Sequence, residues 1–270
     1  MREFFGFGGY ERPVEGFLSW QHLVFASVIT TIMVLSAVFI GKAFRQRDLK
    51  QKNSVLIVSA VMIDSFEIFK IVLLCFRQQD AMHWINVLPL FLCSIHLITI
   101  PLAAFSKGRI KEASLDFVMI FGLVGAVLGI FCAGNNFGFY PVLCFDNVVS
   151  GITHAISGFS ALYIMISDMV SMKKSNIGVT IGILGFFCTA AFIANHFVDC
   201  NYMFLTQGDG TPYDIVFNLV NGNQILYPIL VVALFLIYIA GFYSVYYVLQ
   251  NRKQKENKRM QDANTKYINV

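Results

Sequence analysis

The sequence predicts an all-α polytopic membrane protein: a bundle of seven transmembrane helices with its N-terminus outside and its C-terminus in the cytoplasm. Three observations carry this. Hydrophobic residues make up 57% of the 270-residue chain and charged residues only 13%, with 27 Phe, against about 25% charged in ordinary soluble domains. Seven apolar runs approach the roughly 20 residues that a bilayer core demands of a helix. Lys and Arg fall in alternate gaps between those runs, so the bias of cations toward the cytoplasm assigns an orientation.

The apolar runs place helices near 21–43, 54–76, 84–105, 114–133, 148–171, 177–198 and 225–250. The first run lacks a small-residue cleavage site and is followed by a basic segment, so it reads as a span rather than a removed leader. The first gap holds Lys42, Arg45, Arg47, Lys50 and Lys52; the third Lys107, Arg109 and Lys111; the fifth Lys173 and Lys174. The tail adds Arg252, Lys253, Lys255, Lys258, Arg259 and Lys266, whereas the opposite side has only Arg2, Arg12 and Arg77. Three parts follow: a short extracytoplasmic segment 1–20, a seven-helix domain 21–250 and a basic cytoplasmic tail 251–270. The tail suits anionic lipid heads. The net charge of +4 sits in loops and tail and points to no nucleic-acid partner. No internal repeat is evident.

Small residues mark expected helix contacts: Gly125 with Gly129, and Gly178 with Gly182. Pro89, Pro101 and Pro228 fall inside spans, where they kink or locally open a helix.

Orientation assigns each intramembrane polar residue a depth. The second span carries Asp64, Glu67 and Lys70 at spacings of three, on neighbouring parts of one face. The third carries Cys93 and His96. The fifth carries Ser150, His154 and Ser157. Glu67 and Cys93 lie about 13 Å from the outer ends of their spans and His154 about 9 Å, at 1.5 Å per residue. Gln21 and His22 open the first span at the outer surface, and Asn195 and His196 close the sixth there. Polar groups from five spans are thus expected in the outer half. Asp116 and Asp168 fall near inner ends, within reach of headgroup solvation, and no comparable set is expected in the inner half.

Ionisable groups inside spans are functional candidates by default, although Asp64, Glu67 and Lys70 equally make a self-neutralising network. A Cys nucleophile needs a base to populate its thiolate. His154 fills that role if its helix faces Cys93, with Glu67 or Asp64 orienting the imidazole. The bland alternative is that Cys93 packs and His154 bonds a neighbouring helix. A zinc site from His22, His96, His154 and Cys93 is a further option without a tight ligand motif, so no metal or cofactor is expected. Cys144 and Cys200 fall in outer loops, where oxidising conditions permit a disulfide. Cys188 reads as packing. The second class of reading is non-enzymatic: a transporter, receptor or lipid-binding protein built on Asp64, Glu67 and Lys70. The seventh span has no Lys for a retinal Schiff base.

The run Leu88-Pro89-Leu90-Phe91-Leu92-Cys93-Ser94 resembles the LPLxLC motif of the YwaF-like, transmembrane protein 164 family. Trp20-Gln21-His22-Leu23 is similar to that family's entry into its first helix. Asn201-Tyr202-Met203-Phe204-Leu205, followed by Thr211-Pro212, resembles its NYxFL…P segment. The similarity spans about residues 18 to 250. It implies seven transmembrane helices, and a lipid acyltransferase in which Cys93 and His154 are the catalytic pair. Animal relatives are regarded as acyltransferases acting on ether phospholipids, with distant similarity to androgen-induced hydrolases that use Thr and His. Phe91 stands where many bacterial members carry a polar residue, often His. Asp64, Glu67, Lys70, His96, His22, Ser157, Asn195 and Asn201 are the candidate pocket or orienting residues. The expected partner is a membrane phospholipid or lysophospholipid. The location is the plasma membrane for a bacterial chain and an endomembrane for a eukaryotic one. Oligomeric state is left open.

Overall fold

A computed structural model describes residues 1–170 and 172–268, without the side chains of Asn135, Lys253 and residues 256–268. The expected tail cations Lys253, Lys258, Arg259 and Lys266 therefore lie outside the described side chains. All regular structure among the described residues is helical. The α-helices are α1 (Trp20–Phe44), α2 (Leu49–Gln78), α3 (His96–Phe105), α4 (Gly108–Phe131), α5 (Gly134–Phe139), α6 (Phe145–Ile166), α7 (Ile177–Ala194), α8 (Tyr213–Leu219) and α9 (Leu226–Ile268).

Five stretches are long and apolar enough to cross a membrane: Trp20–Phe44, Gly108–Phe139, Phe145–Ile166, Lys174–Ala194 and Leu226–Arg252. The chain is an integral membrane protein. Of the other two expected spans, α2 has 30 residues but carries Asp64, Glu67 and Lys70 in its middle. The third is a correction to the sequence reading, because it is not one helix from 84 to 105. A 3-10 turn runs His83–Val87, Leu88 is extended at ψ 149°, and α-helix starts only at His96. Pro89 is the cause: its ring pushes the preceding residue out of the helical region, and it has no N–H to donate. Pro228, by contrast, lies in the first turn of α9, where no N–H is needed, so it starts that helix rather than kinking it.

Two of the long helices, α1 and α2, begin at a side-chain cap. Ser19 accepts from the His22 N–H at 3.3 Å, and Asp48 accepts from the Gln51 N–H at 2.7 Å, as good N-caps do. Asn195 ends α7 because its amide exchanges two hydrogen bonds with the Tyr202 backbone, at 2.8 and 3.1 Å.

Helix α4 is the axis of the bundle. Every residue from Ala113 to Gly122 is buried, and α6, α3 and α7 pack around it, with α1 laid against α6. The outward face of α1 (Val28, Ile32, Leu35 and Phe39, about half or more exposed) is apolar, as a lipid-facing surface requires.

The glycine expectations divide. A Cβ on Gly178 or Gly182 would meet nothing within 4 Å, so those residues do not mediate helix packing. Gly125 and Gly129 do face neighbours, but the neighbours are side chains of the candidate site. Close helix approach falls instead at Gly41, against Ile166, and Gly158, between Met33 and Ala126.

The other end of α4 corrects a second expectation. Asp116 is not solvated at a helix end. It is fully buried, accepting from the Met172 N–H at 3.0 Å, the Asn176 amide at 3.1 Å and the Tyr243 hydroxyl at 3.1 Å. Thr180 joins Tyr243 at 3.3 Å, and the Tyr247 hydroxyl donates to the Met172 carbonyl at 2.7 Å. The end of the bundle read as cytoplasmic thus holds a polar cluster that sequence depth alone did not reveal. Asp168 is exposed and pairs with Arg45 at 2.8 Å, in keeping with a headgroup-level position.

The chain before α1 folds across the opposite end. Arg77, at the close of α2, grips Asp146 with two bonds of 2.6 and 3.2 Å, and Tyr10 donates to the same carboxylate at 2.8 Å. Glu15 accepts from the Val142 N–H at 2.8 Å, and Phe4 and Phe5 pack on Phe145. This strap buries Cys144, whereas Cys200 lies elsewhere, beside Asn86. All six cysteines are free thiols, so the expected Cys144–Cys200 disulfide is not formed.

Candidate functional site

The site forms where the broken third segment and α6 meet the glycine face of α4. Leaving the helical path at Leu88, the chain makes tight turns in which the Ser94 and Ile95 N–H groups both reach the Phe91 carbonyl, at 2.9 and 3.1 Å. Cys93 is carried on this turn rather than on a helix flank. The turn has an external prop: the Tyr202 hydroxyl accepts from the Leu88 N–H at 3.0 Å and faces the Ile85 carbonyl at 3.4 Å. Tyr202 is fully buried, with the Phe91 ring 5.1 Å away. Two residues beside it, Met203 and Phe204, adopt left-handed φ values of 55° and 56°, a conformation that side chains with a Cβ resist. The Asn201–Leu205 run is therefore bent sharply to bring Tyr202 under the Cys93 turn.

His154 comes from α6. Its Nδ1 lies 2.7 Å from the Ser150 carbonyl and 3.4 Å from the Ser150 hydroxyl. A carbonyl only accepts, so Nδ1 carries the proton and Nε2 offers its lone pair. The ring lies flat on Gly129, where a Cβ would stand 1.9 Å from Cδ2 and 2.0 Å from Nε2. Cys93 borders Gly125, one turn earlier on α4, at 3.9 Å. The His154 ring lies beside the Cys93 thiol, near enough for the two to interact electrostatically, with the Ser94 hydroxyl 4.0 Å from the sulfur. Cys93 and His154 are both partly exposed, and a thiol beside an imidazole lone pair is the arrangement of an activated sulfur nucleophile.

Of the charged trio on α2, Glu67 and Lys70 form a 2.6 Å ion pair, and the Lys70 charge acts on both Cys93 and His154. Neither acid orients the imidazole: Ser150 does. Asp64 is half-buried and makes no side-chain hydrogen bond or ion pair among the described residues. His96 begins α3 with Nδ1 3.0 Å from the Cys93 carbonyl, fully buried. Ser157 donates back to the Thr153 carbonyl at 3.1 Å.

Three expected pocket residues are elsewhere. His22 accepts the Leu18 N–H on Nδ1 at 3.2 Å, bonds the Ile130 carbonyl through Nε2 at 3.0 Å, and stacks on Phe137 at 3.9 Å. Both ring nitrogens are used, Nδ1 by the chain entering α1 and Nε2 in fastening α1 to the end of α4. Asn195 and Asn201 organise the loop before α8. Asn201 accepts from Thr206 and donates to the Gln207 carbonyl and to Asp209. No three His, Cys, Asp or Glu side chains converge as a metal set among the described residues.

Helix α4 is what the sequence reading missed. Gly122, Gly125 and Gly129 line one of its faces and leave the room that His96, Cys93 and His154 occupy. Their spacing was visible, but glycines three and four apart signal close approach without saying whether backbone or side chains fill the gap. An apolar groove of about 600 Å³ also opens between α1 and α2, floored by α6 and lined by residues such as Met33, Met62, Ile152 and Phe159. Ile152 and His154 are two residues apart, about 200° around the helix, so the groove lies on the other face of α6 from the Cys93–His154 pair.

The TMEM164 family model matches residues 17–249. No curated protein and no solved structure matches the chain.

Proposed function

The chain belongs to the TMEM164 family, and from that premise we propose that it is a membrane lipid acyltransferase, or a related acyl hydrolase, working through a Cys93 thioester. The observation that carries the proposal is the pairing of the Cys93 thiol with a His154 ring whose tautomer is set by Ser150. His154 Nε2 takes the thiol proton as sulfur attacks the ester carbonyl of a phospholipid. It returns that proton to the departing lipid alcohol, leaving the acyl group on Cys93. A hydroxyl acceptor, from a lysophospholipid or water, then discharges the thioester.

The reading includes seven membrane crossings, with α2 and the broken third segment as the two beyond the apolar five, the N-terminus outside and the C-terminus in the cytoplasm. In that orientation Cys93 and His154 sit in the outer half, where ester carbonyls lie just below the headgroups. A proton-coupled transporter draws less support. Glu67 is neutralised by Lys70 at 2.6 Å, and Asp116 is held by backbone, amide and phenol donors.

The test is trapping the intermediate. Purified protein in nanodiscs of phosphatidylcholine is expected to gain one acyl mass on Cys93, removable by neutral hydroxylamine. Cys93→Ala and His154→Ala variants, folded by size-exclusion profile, are expected to gain none. Undiminished acyl transfer by Cys93→Ala sinks the proposal. Cysteine-scanning with an impermeant maleimide checks the orientation: a label at Gly9→Cys from the cytoplasmic side contradicts it.

A further inference from the structure

His96 holds a lone pair that the pairing of Cys93 with His154 does not use. Its Nδ1 lies 3.0 Å from the Cys93 carbonyl, so that nitrogen is the donor and Nε2 is an acceptor. The residue is fully buried, and Nε2 has no hydrogen-bond partner. Such an atom is rarely left alone in a folded protein. It is aimed at the glycine face of α4. From the point where a Cβ on Gly122 would stand, Nε2 is 3.5 Å away and the Ser157 carbonyl oxygen 2.8 Å. A Cβ on Gly125 would have Cys93 Cα, Cys93 Cβ and His96 Cε1 as nearest neighbours, all at 3.9 Å. There is thus space for a methyl-sized group next to Cys93. The His96 ring borders this space through its Cε1, and a group that bonds its Nε2 must bring a proton of its own.

We propose that His96 is the base that receives the acyl acceptor: its Nε2 binds the hydroxyl group that discharges the Cys93 thioester. This rests on the acyl-transfer reading and divides its two halves between two histidines. His154 serves thioester formation. In the second half the acceptor oxygen attacks the thioester carbonyl, a C–O bond forms and the C–S bond breaks. The hydroxyl proton moves to His96 Nε2 and is then returned to the released Cys93 thiolate, restoring a neutral imidazole and a thiol. The ligand is a hydroxyl compound, either water or the alcohol of a lysophospholipid.

The experiment follows formation and discharge of the thioester separately, by intact mass, for protein in phosphatidylcholine nanodiscs with and without added lysophosphatidylcholine. His96→Asn keeps a donor toward the Cys93 carbonyl and removes the basic ring nitrogen, since an amide oxygen accepts a hydrogen bond but does not take up a proton. Gly125→Ala fills the space while meeting nothing closer than 3.9 Å. Both are expected to form the thioester at the wild-type rate and to discharge it roughly 100-fold more slowly, the low end for loss of a general base. Oxygen-18 from labelled water in released fatty acid identifies water as the acceptor; newly acylated lysophosphatidylcholine identifies the lipid alcohol. Discharge at the wild-type rate in both variants overturns the proposal. So does a folded His96→Asn protein that cannot form the thioester, which would place His96 with the thiol instead. If His96→Asn does not fold, Gly125→Ala decides. A wild-type protein that never carries an acyl group removes the acyl-transfer reading, and this proposal with it.

Discussion

Gly129 is the position where one carbon atom should separate a working site from a folded but idle one. In Gly129→Ala the new Cβ would stand 1.9 Å from His154 Cδ2 and 2.0 Å from Nε2. Uncrowded carbon contacts lie at about 3.5–4.0 Å, so the ring must retreat by roughly 1.5–2 Å. It cannot retreat and keep its place, because the 2.7 Å bond to the Ser150 carbonyl fixes Nδ1. A displacement of about 1 Å at a reacting group costs roughly 100-fold in rate, so a loss of at least that size is expected. The matched control is Gly178→Ala on α7, whose Cβ meets nothing within 4 Å. Each replacement improves helix propensity by about 1 kcal/mol, so propensity alone does not distinguish the two. The assay is the initial rate of Cys93 thioester formation in nanodiscs, alongside the rate of Cys93 alkylation by a membrane-permeant iodoacetamide. Gly129→Ala at a rate within threefold of Gly178→Ala would refute the placement of His154 against α4.

Other perturbations test the supports around the site. Tyr202→Phe removes the acceptor for the Leu88 N–H and is expected to cost about 1 kcal/mol, read as a lower midpoint of thermal unfolding, with faster non-selective alkylation of Cys93 as its turn loosens; an unchanged midpoint and alkylation pattern counts against the prop. Asp116→Ala strands three buried donors and is expected to destabilise the bundle by on the order of 3 kcal/mol or more, measured by thermal unfolding in detergent; a loss below about 1 kcal/mol contradicts the buried hub. Arg77→Leu leaves Asp146 without its two guanidinium bonds and is expected to cost about 1.5–3 kcal/mol and to open residues 1–18 to limited proteolysis; an equally protected segment rejects the strap. Tyr10 in that strap is pushed up by burial first and by Asp146 second, from an ordinary value of 10.0. A raised folded-state value means its contribution is whole below the unfolded value and lost as pH climbs above it, so protection of the segment should hold to about pH 10 and decline beyond.

How far the sequence could be read depended on the kind of signal. Long apolar runs are read by summing over many residues, and α1, α4, α6, α7 and α9 fall close to where those sums placed them. The third run departs from expectation at one residue: Pro89 breaks the helix where a kink is expected, and with Leu88 extended before it the helix does not begin until His96. A depth for Cys93 at about 1.5 Å per residue therefore starts from the wrong geometry, because the residue sits on an irregular turn before α3. Asp116 was misplaced for a different reason. Its distance from a helix end is a one-dimensional quantity, and the Met172, Asn176 and Tyr243 groups that envelop it come from segments about 56 to 127 positions away. Nothing along the chain announces such a convergence. His22 shows the same limit from the other side: a histidine at a membrane entry invites a functional role, and only the Ile130 carbonyl and the Phe137 ring reveal a fastener. Cys144 and Cys200 are expected on one side of the membrane from the sequence and still do not share a neighbourhood.

The interrupted third segment also bears on the bilayer around the protein. With ten residues, α3 covers about 15 Å of thickness, roughly half of a hydrocarbon core of about 30 Å. The remainder is irregular backbone, which hydrocarbon does not tolerate unless protein covers it; here Tyr202, Phe91 and their loop do so. In the proposed orientation, the outer leaflet next to Cys93 meets a packed aromatic loop instead of a helix with a fixed apolar length. Lipids there have no rigid hydrophobic edge to match, and local thinning is the cheap way to accommodate them. A thinner outer leaflet at that one place would lower the ester groups of neighbouring lipids toward the sulfur, making acyl-chain length in the surrounding membrane a control on the site.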